Sequence, residues 1–171
     1  LQAVTRIYTV YQARCQQANA MDFDDILVNT FRLLNENADI RNKYADRFQY
    51  ILVDEYQDTN SVQVAIVKLL TVKHQRVCVV GDDYQSIYSF RGANIDNILD
   101  YQKKFDNVQV FKLERNYRST QKIVEAANSL MKHNVKQIPK EVYSKESEGS
   151  KISYHSCYSD KEEAMVVVKE I

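Results

Sequence analysis

Ile51-Leu52-Val53-Asp54-Glu55-Tyr56-Gln57-Asp58-Thr59-Asn60 decides how the rest of the sequence is read. Bounded upstream by Phe48 and Tyr50, a short apolar run with β-branched Ile51 and Val53 ends abruptly in polar residues. Such a run predicts a fully buried parallel strand. In open α/β sheets, ligands lie beyond the carboxyl ends of the strands, which puts Asp54 and Glu55 where a site is expected. An acidic residue there can hold Mg²⁺, directly or through water, and the metal neutralises phosphate oxygens. A neighbouring carboxylate facing the same crevice can accept a proton from an attacking water. The competing explanation is that both carboxylates only cap the helix that follows.

Downstream, the pattern repeats. Asn60 and Ser61 offer N-caps for a helix carrying Val62, Ile66, Val67, Leu69 and Leu70. Arg76-Val77-Cys78-Val79-Val80-Gly81 then reads as a second buried strand, ending in Asp82-Asp83-Tyr84-Gln85. Strand, helix and strand make a βαβ unit, and its right-handed crossover makes the strands parallel. Both acidic clusters are then expected on the same edge of the sheet.

Beyond it, Ser86-Ile87-Tyr88-Ser89-Phe90-Arg91-Gly92-Ala93 reads as a loop. Two aromatics two residues apart beside an arginine suit a platform for stacking bases, or else pack beneath their own loop. Asn94 to Phe105 predicts a helix, and Val108-Gln109-Val110-Phe111-Lys112-Leu113 a third strand. That strand ends in Glu114-Arg115-Asn116-Tyr117-Arg118-Ser119-Thr120, where Ser119 or Thr120 caps a helix carrying Ile123, Val124, Ala127, Leu130 and Met131. Two arginines at a helix N-terminus favour anions, and arginine grips phosphate oxygens bidentately. Residues 134–150 are polar and read as a connecting loop, 151–155 as a fourth, alternating strand. Asp160 is the expected cap of a last helix.

Upstream, apolar spacing predicts helices over residues 2–18, over the segment carrying Ile26, Leu27, Thr30, Phe31 and Leu34, and over 38–47. Asp22 or Asp24 suits the N-cap of the second. Phe23 is expected there as a hydrophobic staple against the first turn.

The bulk numbers exclude several classes. A net charge of zero makes any nucleic-acid surface local rather than global. Three scattered cysteines without a Cys-x-x-Cys pair fit free thiols in a cytoplasmic setting, not a disulfide scaffold or zinc site. No apolar run approaches the roughly 18 residues that span a membrane. Three Gly and one Pro argue against a loop-rich chain. Neither Leu1 nor Ile171 looks like a natural terminus, so the sequence reads as an internal fragment.

In their order, these motifs resemble superfamily 1 DNA helicases of the UvrD/PcrA/Rep type over essentially the whole chain. Asp54-Glu55-Tyr56-Gln57-Asp58-Thr59-Asn60 is similar to that family's Walker B motif, and Gly81 to Ala93 to its motif III. Leu113 to Thr120 is similar to its motif IV, and Met21-Asp22-Phe23-Asp24-Asp25 to the segment preceding Walker B. The resemblance implies an α/β, RecA-like parallel sheet with flanking helices, incomplete here, plus a helical N-terminal segment. It would assign residues 1–47 to subdomain 1B, 48–113 to domain 1A and 114–171 to the start of domain 2A.

It also implies an ATP-dependent 3′→5′ helicase and translocase of DNA repair or replication, with ATP and Mg²⁺ as cofactors. Single-stranded DNA, single/double-strand junctions and the remainder of the helicase chain would be its partners. Asp54 would hold Mg²⁺, Glu55 would activate water, and Gln85 and Arg118 would contact the γ-phosphate, with Tyr117 stacked on adenine. Phe23, Tyr88 and Phe90 would stack on DNA bases with Arg91 nearby. Phe90 stands where the family often has Trp. No Gly-x-x-x-x-Gly-Lys-[Ser/Thr] occurs in the sequence, so the fragment is expected not to hydrolyse ATP alone. Two other readings stand beside this one: a binding module without motor activity, and a polymerase suggested by Gly81-Asp82-Asp83.

Overall fold

The computed structural model describes residues 2–171, which separate into two compact units divided in sequence between Val110 and Phe111. The first opens with three helices: α1 (Gln2–Gln17), α2 (Phe23–Glu36) and α3 (Ala38–Arg47). Asn19 adopts a left-handed backbone after α1, a conformation Asn tolerates better than most residues. Asp22 then caps α2 through a capping box with Asp25, which satisfies two otherwise orphaned groups reciprocally.

Two strands follow, β1 (Ile51–Val53) and β2 (Val77–Val79), joined by α4 (Ser61–Leu70). They pair in parallel, Ile51 opposite Val77 and Val53 opposite Val79, as the crossover rule requires, but Leu52 and Cys78 are exposed, so neither strand is fully buried as expected. Pairing continues beyond β2, where the Val80 N–H donates to Val53 O at 2.8 Å and the Tyr56 N–H to Val80 O at 3.0 Å. α4 is capped by Asn60, in a capping box with Gln63. Asp54 and Glu55 therefore have no part in capping it. α4 packs against α2 and α3.

Tyr56, Val64 and Tyr101 are the buried centre of this unit, ringed by Val53, Val79, Ile98, Phe105 and Val108. Tyr56 meets Tyr101 edge-on at 5.5 Å, and Tyr101 stacks on Phe105 at 4.7 Å. Such pairs contribute about 0.5–1.5 kcal/mol each beyond burial. The expected helix over 94–105 is two short ones, α5 (Asp96–Leu99) and α6 (Tyr101–Lys104). Asp100, at φ −97° and ψ 15°, sits between them in the bridge region, outside helical geometry.

In the second unit, β3 (Arg115–Asn116) pairs in parallel with β4 (Tyr143–Ser144), and α7 (Gln121–Met131) lies between them in sequence. α8 (Asp160–Glu170) ends the chain, capped by Ser159, whose side chain accepts from the Glu162 N–H, not by Asp160. Two strand expectations and one loop expectation fail. Residues 108–113 and 151–155 form no ladder, and a strand appears inside the polar stretch that reads as loop. The reason is common to all three: strand propensity measures fit to a half-buried pleated surface, while a ladder needs a neighbouring backbone. Phe111, Leu113 and Tyr154 are strongly exposed, whereas β4 finds the backbone of β3. The described residues thus hold two small parallel sheets rather than one.

Candidate functional site

The polar residues beyond β1 and β2 share one sheet edge, yet their side chains are used differently. Glu55 adopts a left-handed backbone, φ 48° and ψ 43°. For a residue with a Cβ this costs on the order of 1 kcal/mol and clusters at functional sites. The turn is held from both sides: the Glu55 N–H donates to Asp54 Oδ1 at 2.9 Å, and the Asp58 N–H donates to Glu55 O. Both Asp54 and Glu55 are exposed.

Gln57, two residues on, is 1% exposed. Its Nε2 donates to Glu55 Oε2 at 2.7 Å, and its Oε1 accepts from the Asp82 N–H at 3.0 Å. Asp82 opens the tight turn that carries Gln85: its Oδ1 accepts from the Tyr84 N–H at 3.1 Å and its Oδ2 from Gln85 Nε2 at 2.8 Å. Asp83 is 3% exposed. The Gly-Asp-Asp sequence thus presents no pair of carboxylates to solvent, which overturns the polymerase reading. Gly81 lies against the network, where an added Cβ would sit 2.7 Å from Gln57 Oε1 and 2.8 Å from Ile98 Cδ1.

Among the described residues no cluster of three or more His, Cys, Asp or Glu is placed to hold a metal ion. An exposed Asp54 at a strand end still suits Mg²⁺, which typically takes one or two carboxylates and completes its shell with water and phosphate. This edge does not supply an all-protein cage.

Beyond Gln85 the chain passes through Tyr88, Phe90 and Arg91. The two rings lie 6.0 Å apart at 41°, and the Arg91 guanidinium stands 5.4 Å from each centroid. Phe90 is 76% exposed and Tyr88 is also exposed, so neither packs beneath the loop. Gly92, at φ 85°, turns the chain back; the Asn94 N–H and Asn97 Nδ2 then both donate to Thr59 O. The aromatic loop is thus tied at one end to the Asp82 turn and at the other to the turn after β1.

Phe23 occupies the first position of α2 and is 88% exposed; it is no staple. Asp22, just before it, accepts from the Asp25 N–H and from the Tyr11 hydroxyl. These bonds, the Asp25 one first, hold the Asp22 carboxyl below its usual range.

In the second unit, Asn116 Oδ1 accepts from the N–H groups of Arg118 and Ser119 at 2.9 and 2.8 Å, forming an Asx turn. Tyr117 and Arg118 are exposed. The Arg115 guanidinium lies 4.4 Å from the Tyr117 ring centroid, a cation–π contact absent from the sequence reading. The N-terminus of α7 differs from expectation. Its first N–H groups, of Gln121 and Lys122, donate to Ser147 O and Glu148 O, so they are not open to an anion.

Comparison with known proteins follows this division. Residues 1–106 match the UvrD/REP helicase N-terminal domain, and residues 111–171 the UvrD-like helicase C-terminal domain. The chain is 44% identical over 170 residues to the ATP-dependent DNA helicase PcrA of Staphylococcus epidermidis. The proteins of that name from Staphylococcus aureus and Leuconostoc citreum are 42% and 40% identical over the same length. Each alignment takes in 99% of this chain and 23% of the relative.

Proposed function

The chain belongs to the UvrD/REP helicase family, and from that membership and the geometry of the β1–β2 edge we propose that it forms part of an ATP-dependent 3′→5′ DNA helicase and translocase. On this reading residues 1–47 belong to subdomain 1B, 48–113 to a RecA-like domain 1A and 114–171 to the start of domain 2A. The observation that carries it is the exposed Asp54–Glu55 pair, set beyond a parallel strand and bonded through Gln57 to the turn bearing Gln85.

Asp54 would hold Mg²⁺, which would supply positive charge to the phosphate oxygens of bound ATP. Glu55 accepts the proton of the attacking water. Gln85 contacts the γ-phosphate, Arg118 stabilises its developing charge, and the exposed Tyr117 ring stacks on adenine. The remainder of a longer chain supplies the phosphate-cradling loop. Tyr88, Phe90 and Phe23 offer ring faces to single-stranded bases, and Arg91 adds positive charge beside two of them. Because Gln85 and Phe90 share one tethered loop, a change at the phosphate reaches the bases within a few residues. Cytoplasmic DNA repair or replication and junction substrates complete the reading. No helix among the described residues is long and apolar enough to cross a membrane.

The test is DNA-stimulated ATP hydrolysis by the full-length protein carrying this sequence. Glu55→Gln is expected to lower turnover by about 10²–10⁴-fold, the usual contribution of a general base, with nucleotide and DNA binding retained. Unchanged turnover would remove Glu55 from the chemistry and leave a DNA-binding module.

A further inference from the structure

The Gln57 side chain touches both acidic turns, and its chemistry fixes its orientation. A carboxamide has a donor end and an acceptor end. Here the NH₂ faces the Glu55 carboxylate, which can only accept when ionised, and the C=O faces the Asp82 N–H, which can only donate. Turning the amide over would set oxygen against oxygen and N–H against N–H, so a single arrangement satisfies both partners. Burial enforces it: with 1% of the residue exposed, water cannot substitute for either bond, and an unmade one costs about 1–3 kcal/mol. Gly81 completes the fit by leaving the space beside Gln57 Oε1 that any Cβ would fill.

We propose that Gln57 is a positioning residue, which orients the Glu55 carboxylate for proton abstraction and holds it in register with the turn that carries Gln85. The proposal rests on the reading of Glu55 as the general base. Glu55 is an exposed side chain on a left-handed turn, and without a partner its carboxylate is free to rotate away. The bond from Gln57 removes that freedom, and its other end is anchored to the N–H of Asp82, whose carboxylate holds Gln85 Nε2. A rearrangement of the Gln85 turn is thereby felt at Glu55 through two hydrogen bonds and no intervening water.

The experiment uses the full-length protein carrying this sequence and compares Gln57→Leu, Gln57→Glu, Glu55→Gln and the double variant Glu55→Gln with Gln57→Leu. Gln57→Leu removes both bonds. Gln57→Glu keeps the size and the acceptor for Asp82 but sets a second carboxyl against Glu55, where like-charge repulsion or a shared proton disturbs the Glu55 carboxylate, and it stands in where the leucine variant does not fold. Each single Gln57 variant is expected to lower kcat about 10–100-fold, the usual effect of losing a partner that orients an active group. KM for ATP and the Kd for single-stranded DNA should stay within about twofold. In the Glu55→Gln background the Gln57→Leu change should cost nothing further, because it acts through Glu55.

Wild-type kcat in either folded Gln57 variant overturns the proposal. So does an undiminished Gln57→Leu loss in the double variant, which would mark Gln57 as structural only. Should Glu55→Gln itself leave kcat intact, the general-base reading falls first, which separates that failure from this one.

Discussion

Asp54-Glu55 and Asp82-Asp83 are near twins in sequence: each follows a short apolar strand, and the two strands run parallel. In the folded chain they part. The first pair is exposed on a turn that carries a left-handed residue. The second is folded inward, with Asp82 bonded to its own turn and to Gln57, and Asp83 buried. One pair presents charge to a ligand; the other fixes the backbone that presents Gln85. A carboxylate at the end of a parallel strand is thus a candidate ligand only where the fold leaves it exposed.

The largest expected effect tests that contrast directly. Asp54→Asn in the full-length protein should lower DNA-stimulated ATP turnover by about a hundredfold or more, since metal-assisted charge stabilisation is typically worth several kcal/mol. Its melting temperature should stay unchanged. Asp83→Ala should do the reverse, lowering stability by about 1–3 kcal/mol through the buried groups it deserts, as read from the unfolding midpoint. Equal losses of turnover at both positions, with stability untouched, would break the comparison.

A smaller effect sharpens it on the neighbouring loop. Phe90→Ala removes a ring that is already exposed, so stability should not change. Affinity for single-stranded DNA should fall by about 1–3 kcal/mol, the usual contribution of one base stacked on an aromatic. Fluorescence anisotropy with a labelled oligonucleotide measures it, and an unaltered Kd would take Phe90 out of the platform.

The mildest test concerns the aromatic centre beneath both turns. Burial, and then the neighbouring Tyr56 and Cys78, push the Tyr101 hydroxyl from 10.0 to about 12. Because the folded value lies above the unfolded one, the un-ionised phenol favours the folded state. That contribution is complete below about pH 10 and is lost as pH rises towards 12. An alkaline melt should fall through this window in the wild-type chain and be flatter in Tyr101→Phe.

Much of the first unit was legible because its signals are local. The apolar runs at 51–53 and 77–79, the helix spacing between them and the crossover rule suffice for a parallel pair. The caps Asp22 and Asn60 each stand one residue before their helix, with their capping-box partners Asp25 and Gln63 three residues on. What escaped the sequence depends on what lies across space. Val108 to Leu113 has the composition of a strand but no paired backbone, and Tyr143-Ser144 has a partner but no strand-like pattern. The α7 N-terminus looked open because Ser147 and Glu148, whose carbonyls occupy it, lie more than twenty residues later. Gln57 and Arg115 stood in plain sight within motifs, with nothing in their spacing to say what they touch.

The sequence by itself therefore determined the family, the order of the elements and the residue types at the strand ends, because periodicity, capping and motif chemistry act over a few residues. Only the tertiary structure decided which carboxylates stay exposed, that Gln57 bridges two turns and that the rings of the 88–91 loop face outward. Those outcomes depend on burial and hydrogen-bond direction between segments about 25 residues apart, such as Gln57 and Asp82. Desolvation leaves a buried amide only the partners that the fold happens to bring within 3 Å.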